Sequence, residues 1–127
     1  MLNREIEIHD SVLDSLCMEG SQAVLCFSHV YIHQGRGTNV HTGWTQVAII
    51  RIDNAVIGSS FTEWPRDLSD GYLKVDANVM DLIPIPLDQG GKVELRLESW
   101  NEVVFVSGTH IRLELIGEAK YVEKIRW

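Results

Sequence analysis

Two stretches of this chain alternate apolar and polar residues with a period of two, and that period decides most of what the chain can become. Between Lys92 and Ser99, Val93, Leu95 and Leu97 interleave with Glu94, Arg96 and Glu98. Between His110 and Ile116, Ile111, Leu113 and Leu115 interleave with Arg112 and Glu114. Successive side chains of an extended strand point to opposite faces, so this pattern buries one face and solvates the other only as β-structure. Arg4 to His9 repeats it with Ile6 and Ile8. Gln22 to His33 is rich in β-formers, with Val24, Cys26, Ser28, Val30 and Ile32 on one face and Leu25, Phe27, His29, Tyr31 and His33 on the other. The second face turns polar toward His33, which predicts a strand that starts in the core and emerges at a rim. A glycine-rich loop from Gln34 to Gly43 then leads into a strand from Trp44 to Ile52.

The segment from Val79 to Leu87 carries Pro84 and Pro86. Residues two apart in a strand aim their backbone groups the same way, so both missing donors fall on one flank, as suits an edge strand. Asp53-Asn54, Asp76-Ala77-Asn78, Asp88 to Gly91 and Trp100-Asn101 read as turns. Turn signals recur roughly every 8–12 residues and no segment shows helical amphipathicity. The chain is therefore expected to be all-β: a single-domain antiparallel β-sandwich or partly closed barrel of roughly nine to ten short strands.

At 127 residues, one domain with a real core is expected. The formal charge of −7 opposes binding to nucleic acid or an anionic membrane, both of which need a basic surface, and points instead to basic partners. The N-terminal residues lack an apolar h-region and no apolar run approaches the roughly 18 residues of a membrane span, so the expected location is cytoplasmic. Cys17 and Cys26 fall out of register if Glu19-Gly20-Ser21 turns a hairpin, which predicts two buried thiols and no disulfide.

Three of the five histidines, His29, His33 and His41, lie between Gly20 and Ile52, a span without a single carboxylate. His29 and His33 are four apart, about 13 Å along a strand, so they do not chelate one ion as a local pair. His33 and His41 flank the loop and meet if it folds back, with Arg36 near its tip; these four residues are the candidate ligand or metal site. No H-x-H with downstream ligands, H-E-x-x-H, Walker loop or G-x-S-x-G is present, so no catalytic residue and no cofactor is expected. His9, Asp10 and Ser11 are adjacent, whereas triad members meet from separate elements; Asp10 and Ser11 read as turn residues bonding nearby backbone. Trp64, in a loop with Asp67 and Asp70, is the candidate partner contact, because tryptophan at a loop anchors interfaces and the acids suit a basic partner.

The opening His9-Asp10-Ser11-x-Leu13, on an acidic all-β chain without catalytic motifs, resembles small uncharacterised bacterial proteins, some of them grouped with immunity proteins of polymorphic toxin systems. The resemblance implies a protein-binding role. The leading expectation is a non-enzymatic interaction protein that masks a basic partner; the alternatives are a small-ligand- or metal-binding protein or enzyme using the His33/His41 region, and a homo-oligomer joined through an exposed edge.

Overall fold

A computed structural model describes residues 2–36 and 40–125. Ten strands are present among them: β1 (Leu2–Glu19), β2 (Gln22–Arg36), β3 (Val40–Asp53), β4 (Val56–Ser59), β5 (Arg66–Asp67), β6 (Asp70–Val75), β7 (Asn78–Met80), β8 (Leu82–Ile85), β9 (Asp88–Ser99) and β10 (Glu102–Ile125). All pairings are antiparallel, in one sheet of order β5-β1-β2-β3-β10-β9-β6-β7, with β4 on β10 and β8 on β1. The all-β antiparallel expectation holds, and the sheet is sandwich-like without closing into a barrel. The strands differ from the expected short ones: β1 has 18 residues and β10 has 24. No helix occurs among the described residues, so none there is long and apolar enough to cross a membrane.

One sheet must bend to bury a face of its own, and bulges supply the bend. In β1 the register shifts between Glu7 and Val12; in β2 it shifts against β3 between Phe27 and Val30; in β10 it shifts between Ile116 and Lys120. These irregularities lie side by side across four strands and form a crease. Asp10 (φ 72°) and Gly117 (φ 72°) supply the left-handed backbone there. Ser11, almost fully buried, stitches the crease in β1: its Oγ donates to Glu7 O at 2.7 Å and accepts from Tyr31 N at 3.0 Å. Gln46 Nε2 donates to Gly117 O at 2.7 Å across the crease.

The crease reverses side-chain parity, because one extra residue turns every following side chain to the other face. Leu25 and Phe27 face the core before it, whereas Val30 and Ile32 face the core after it, and Tyr31 and His33 pass to the outer face. The two continuous faces expected for Gln22 to His33 are thereby exchanged midway. Ile6 and Ile8 of β1, Ile50 and Ile52 of β3, Leu73 and Val75 of β6, and Leu95 and Leu97 of β9 complete one core. Consecutive residues tie the two ends of the sheet: Leu68 N donates to Ser11 O of β1 at 2.9 Å and Ser69 N to Glu98 O of β9 at 2.8 Å. Pro84 sits on β8, which pairs only with β1, as its missing donor requires.

The expected loop from Gln34 to Gly43 is mostly ladder. Gln34 pairs with Thr42, Gly35 with His41 and Arg36 with Val40, so only residues 37–39 remain for the connection, outside the described residues. Arg36 accordingly ends a strand instead of tipping a loop. The glycines sit in these strands because rings cover them: a Cβ on Gly43 would collide with the Tyr31 phenol, and one on Gly35 would lie 3.0 Å from His41 Nδ1. The first hairpin turns on Gly20-Ser21 alone, with Glu19 opposite Gln22, which places Cys17 opposite Val24 and Cys26 opposite Ser15. Both thiols are free; contrary to expectation, Cys17 is exposed, because it lies on the outer face of an edge left uncovered past Leu13, and Cys26 is half-buried.

Candidate functional site

Two places gather chemistry-bearing side chains. The first lies on the outer face beyond the crease. There, cross-strand pairing sets Glu7 beside Tyr31 and Thr45, Glu5 beside His33, Gly43 and Glu123, and Asn3 beside Gly35 and His41. Directly opposed residues share a face, so one row sets Glu5 and Glu123 on the face of His33, and the next same-face row adds His41 from β3. His33 Nε2 and His41 Nδ1 are 3.0 Å apart, with ring centroids 4.9 Å apart and tilted by 50°. His33 Nδ1 lies 3.7 Å from Glu7 Oε1, and the His33 side chain is 13% exposed. Asn3, Glu5, His33, Gly35 and His41 line a recess of about 90 Å³. Beside it the Tyr31 hydroxyl donates to Glu123 Oε1 at 2.8 Å. Burial, then that hydrogen bond and the charges of Glu123, Glu7 and Asp10, push the Tyr31 phenol well above the ordinary tyrosine range.

The expected meeting of His33 and His41 thus occurs, through strand pairing and not through a folded-back loop. His29 does not join them. It sits in the β2 bulge, its Nε2 3.1 Å from Asp10 O, and lines a separate recess of about 190 Å³ with Ser28, Thr45, Gln46, Val47, Glu118 and Lys120. Among the described residues, no three His, Cys, Asp or Glu side chains already converge closely enough to hold a metal ion. Glu5, Glu7, Tyr31 and Glu123 were not singled out by sequence reasoning. The signal that finds them is register: once β1, β2, β3 and β10 are aligned, they fall in the rows of the histidines.

The second place is a cleft of about 280 Å³ lined by His9, Asp67, Leu68, Ser69 and Trp100. Trp100 begins the two-residue turn between β9 and β10, where Ser99 faces Glu102. It is 88% exposed and holds φ 54°, a left-handed conformation that a bulky side chain rarely adopts. Asp67 lies on β5, whose partner Arg66 is clamped by Glu102: Arg66 Nη2 donates to Glu102 Oε2 at 2.5 Å, and Thr62 Oγ1 donates to Glu102 Oε1 at 2.5 Å. The hydrogen bonds from Thr62, with the Arg66 guanidinium, hold the Glu102 carboxyl below the usual range. Arg66 also stacks over Phe61, its guanidinium carbon 5.2 Å from the ring centroid. His9 Nδ1 is 3.1 Å from Asp10 Oδ2 on the cleft's other wall.

Of the three predicted contact residues, Asp67 lines this cleft. Trp64 is 36% exposed and leans on Phe61, ring centroids 5.5 Å apart, so part of its surface serves packing. Asp70 is exposed, and its Oδ1 accepts from Gly71 N at 2.8 Å at the start of β6. Trp100 was the residue that sequence reasoning passed over. Its signal was the pairing of a tryptophan with a turn position that favours glycine or asparagine.

No family model, curated protein or solved structure matches this chain.

Proposed function

We propose that this chain is a non-enzymatic interaction protein that holds a basic protein partner at the Trp100 cleft, in the cytoplasm, as an immunity protein masks a toxin. The observation that carries this reading is Trp100 itself: 88% exposed, in a backbone conformation costly for its type, at the mouth of a cleft containing Asp67. Strained non-glycine residues persist where something other than stability keeps them. Tryptophan is enriched among the anchor residues of protein interfaces, and a cation lying over an indole face while a carboxylate receives it suits lysine or arginine. Asp67 is exposed in the cleft, Asp10 Oδ2 lies 3.1 Å from the ring of His9 that lines it, and the chain as a whole carries −7.

The test is affinity capture from the source cells with the native chain and with Trp100→Ala and Asp67→Asn, followed by association kinetics with the captured protein. The expected result is one basic partner, captured by the native chain and lost from Trp100→Ala, with an association rate that falls as salt rises. Equal capture by the native chain and both variants, or a salt-independent rate, would overturn the reading.

A further inference from the structure

We propose that a second copy of this chain adds antiparallel to the open flank of β10, about a two-fold axis at Ala119, so that Glu118 of each copy faces Lys120 of the other. This does not depend on the partner reading, because Trp100 stands before the other end of β10. β10 pairs with β9 from Glu102 to Arg112 and with β3 from His110 to Ile125. His110 to Arg112 pair with both, so the two strands lie on opposite flanks. Beyond Leu113, whose N donates to Leu87 O at 2.9 Å, no strand among the described residues pairs with the β9 flank. The side from Glu114 to Ile125 is therefore a free edge, and a long free edge is a template for a further strand.

The side chains along it select which strand fits. Ile116, Tyr121 and Val122 are exposed, with Val47 of β3 exposed beside Ile116. Lysine on an edge usually keeps a second strand away. Here Lys120 shares a recess, and hence a face, with Glu118. An interface between identical copies pairs residue i with j and j with i. With Ala119 at the centre, Glu118 meets Lys120 on both sides of the axis, Ile116 meets Val122, and Gly117 meets Tyr121. Opposed charges and opposed apolar side chains stabilise an antiparallel pair, and a ring across from a glycine covers its bare backbone. Moving the centre by one residue sets Lys120 against Lys120 or Glu118 against Glu118, and like charges directly opposed destabilise a pair. The flank thus complements its own copy and favours one register. Its bulges against β3 fall between Ile116 and Lys120 and between Tyr121 and Glu123. Both fall in or beside the segment that pairs, so the two copies bend at one level instead of diverging.

Sedimentation velocity of the purified full chain, from micromolar to submillimolar concentration, should show a reversible monomer–dimer equilibrium. Lys120→Glu and Glu118→Lys, both at exposed positions, should each weaken the dimer at least tenfold by setting like charges opposite one another. An equimolar mixture of the two variants should dimerise again, because each copy then offers the charge the other lacks. In a Cys17→Ser background, Ala119→Cys should give a linked dimer on mild oxidation. Residues opposed across an antiparallel pair have Cα atoms roughly 4.5–5.5 Å apart, within the span of a disulfide. Thermal melts matching the native chain confirm that each variant is folded. A native chain that stays monomeric throughout, as when the edge serves an extended segment of another protein, would overturn the proposal. A dimer indifferent to both charge reversals would do so too, as would a mixture no better than its components or a dimer without the Ala119→Cys link. Trp100→Ala should leave the dimer unchanged; its loss would move the interface to the cleft.

Discussion

The Trp100 cleft and the His33–His41 recess are built in opposite ways from the same sheet. The recess is made of regular ladder: every residue in it is placed by a cross-strand partner, and glycines open room for the Tyr31 and His41 rings. The cleft is made of ends: a hairpin tip, a two-residue strand and the segment that ties β1 to β9. Ladder geometry fixes each side chain against its cross-strand neighbours. A projecting aromatic beside acidic groups suits a large, adaptable partner whose own surface completes the contact. In the first region side-chain placement and stability pull the same way, since the Tyr31 ring covers Gly43 and the His41 ring covers Gly35. In the second they pull apart.

That opposition is most sharply broken at Trp100. Trp100→Gly removes a side chain that buries little and places at φ 54° a residue that adopts it without strain. Stability should stay level or rise by about 1 kcal/mol, while partner affinity falls by about 30-fold, the loss of roughly 2 kcal/mol typical of an interface anchor. Denaturant midpoints and partner dissociation rates measure the two. A substitution that lowered stability by as much as it lowered affinity would mean that Trp100 supports the hairpin and not the contact.

The recess should respond the other way to Gly43→Ala. The added carbon meets the Tyr31 ring, which must leave its place over the glycine and give up its bond to Glu123. The expected cost is about 1–3 kcal/mol from overpacking, with partner capture per folded molecule unchanged. A neutral outcome by chemical denaturation would show that Tyr31 has another equally good position.

How much of this was legible beforehand follows the same division. The alternating runs at Lys92 to Ser99 and His110 to Ile116 carry their own evidence, because the period of two is a local property. The crease was not legible. A bulge such as Ser28-His29 exists because β1, β2 and β10 all shift register at one level, and no single strand records that. Missing it assigned Tyr31 and His33 to the same face as Leu25 and Phe27 and hid their neighbours Glu5, Glu7 and Glu123. The glycines at 35 and 43 were read as loop because glycine usually breaks strands; here it marks close approach of a ring, a cause that lies on the neighbouring strand. The meeting of His33 and His41 was foreseen because it needs only that the chain turn back between them.

The smallest effect separates the regions by pH. Glu102 has its folded pKa lowered by Thr62 and Arg66, so the fold favours its ionised form. Its contribution is fully present above the unfolded value of about 4.3 and is lost as pH falls through the folded one. Tyr31 has its pKa raised by burial and by Glu123, so its contribution is present below the unfolded value of about 10 and is lost as pH rises beyond it. Acid should therefore loosen the cleft first, by freeing Arg66 and the strand that carries Asp67, and alkali should loosen the recess first. Amide exchange followed across pH tests this, with Glu102→Gln expected to flatten only the acid limb at Arg66 and Asp67, and Tyr31→Phe only the alkaline limb at Gly43. If Glu102→Gln altered both limbs, the clamp would be coupled through the crease to the outer face, and the two sites would have to be treated as one cooperative unit rather than as independent ends of the same sheet.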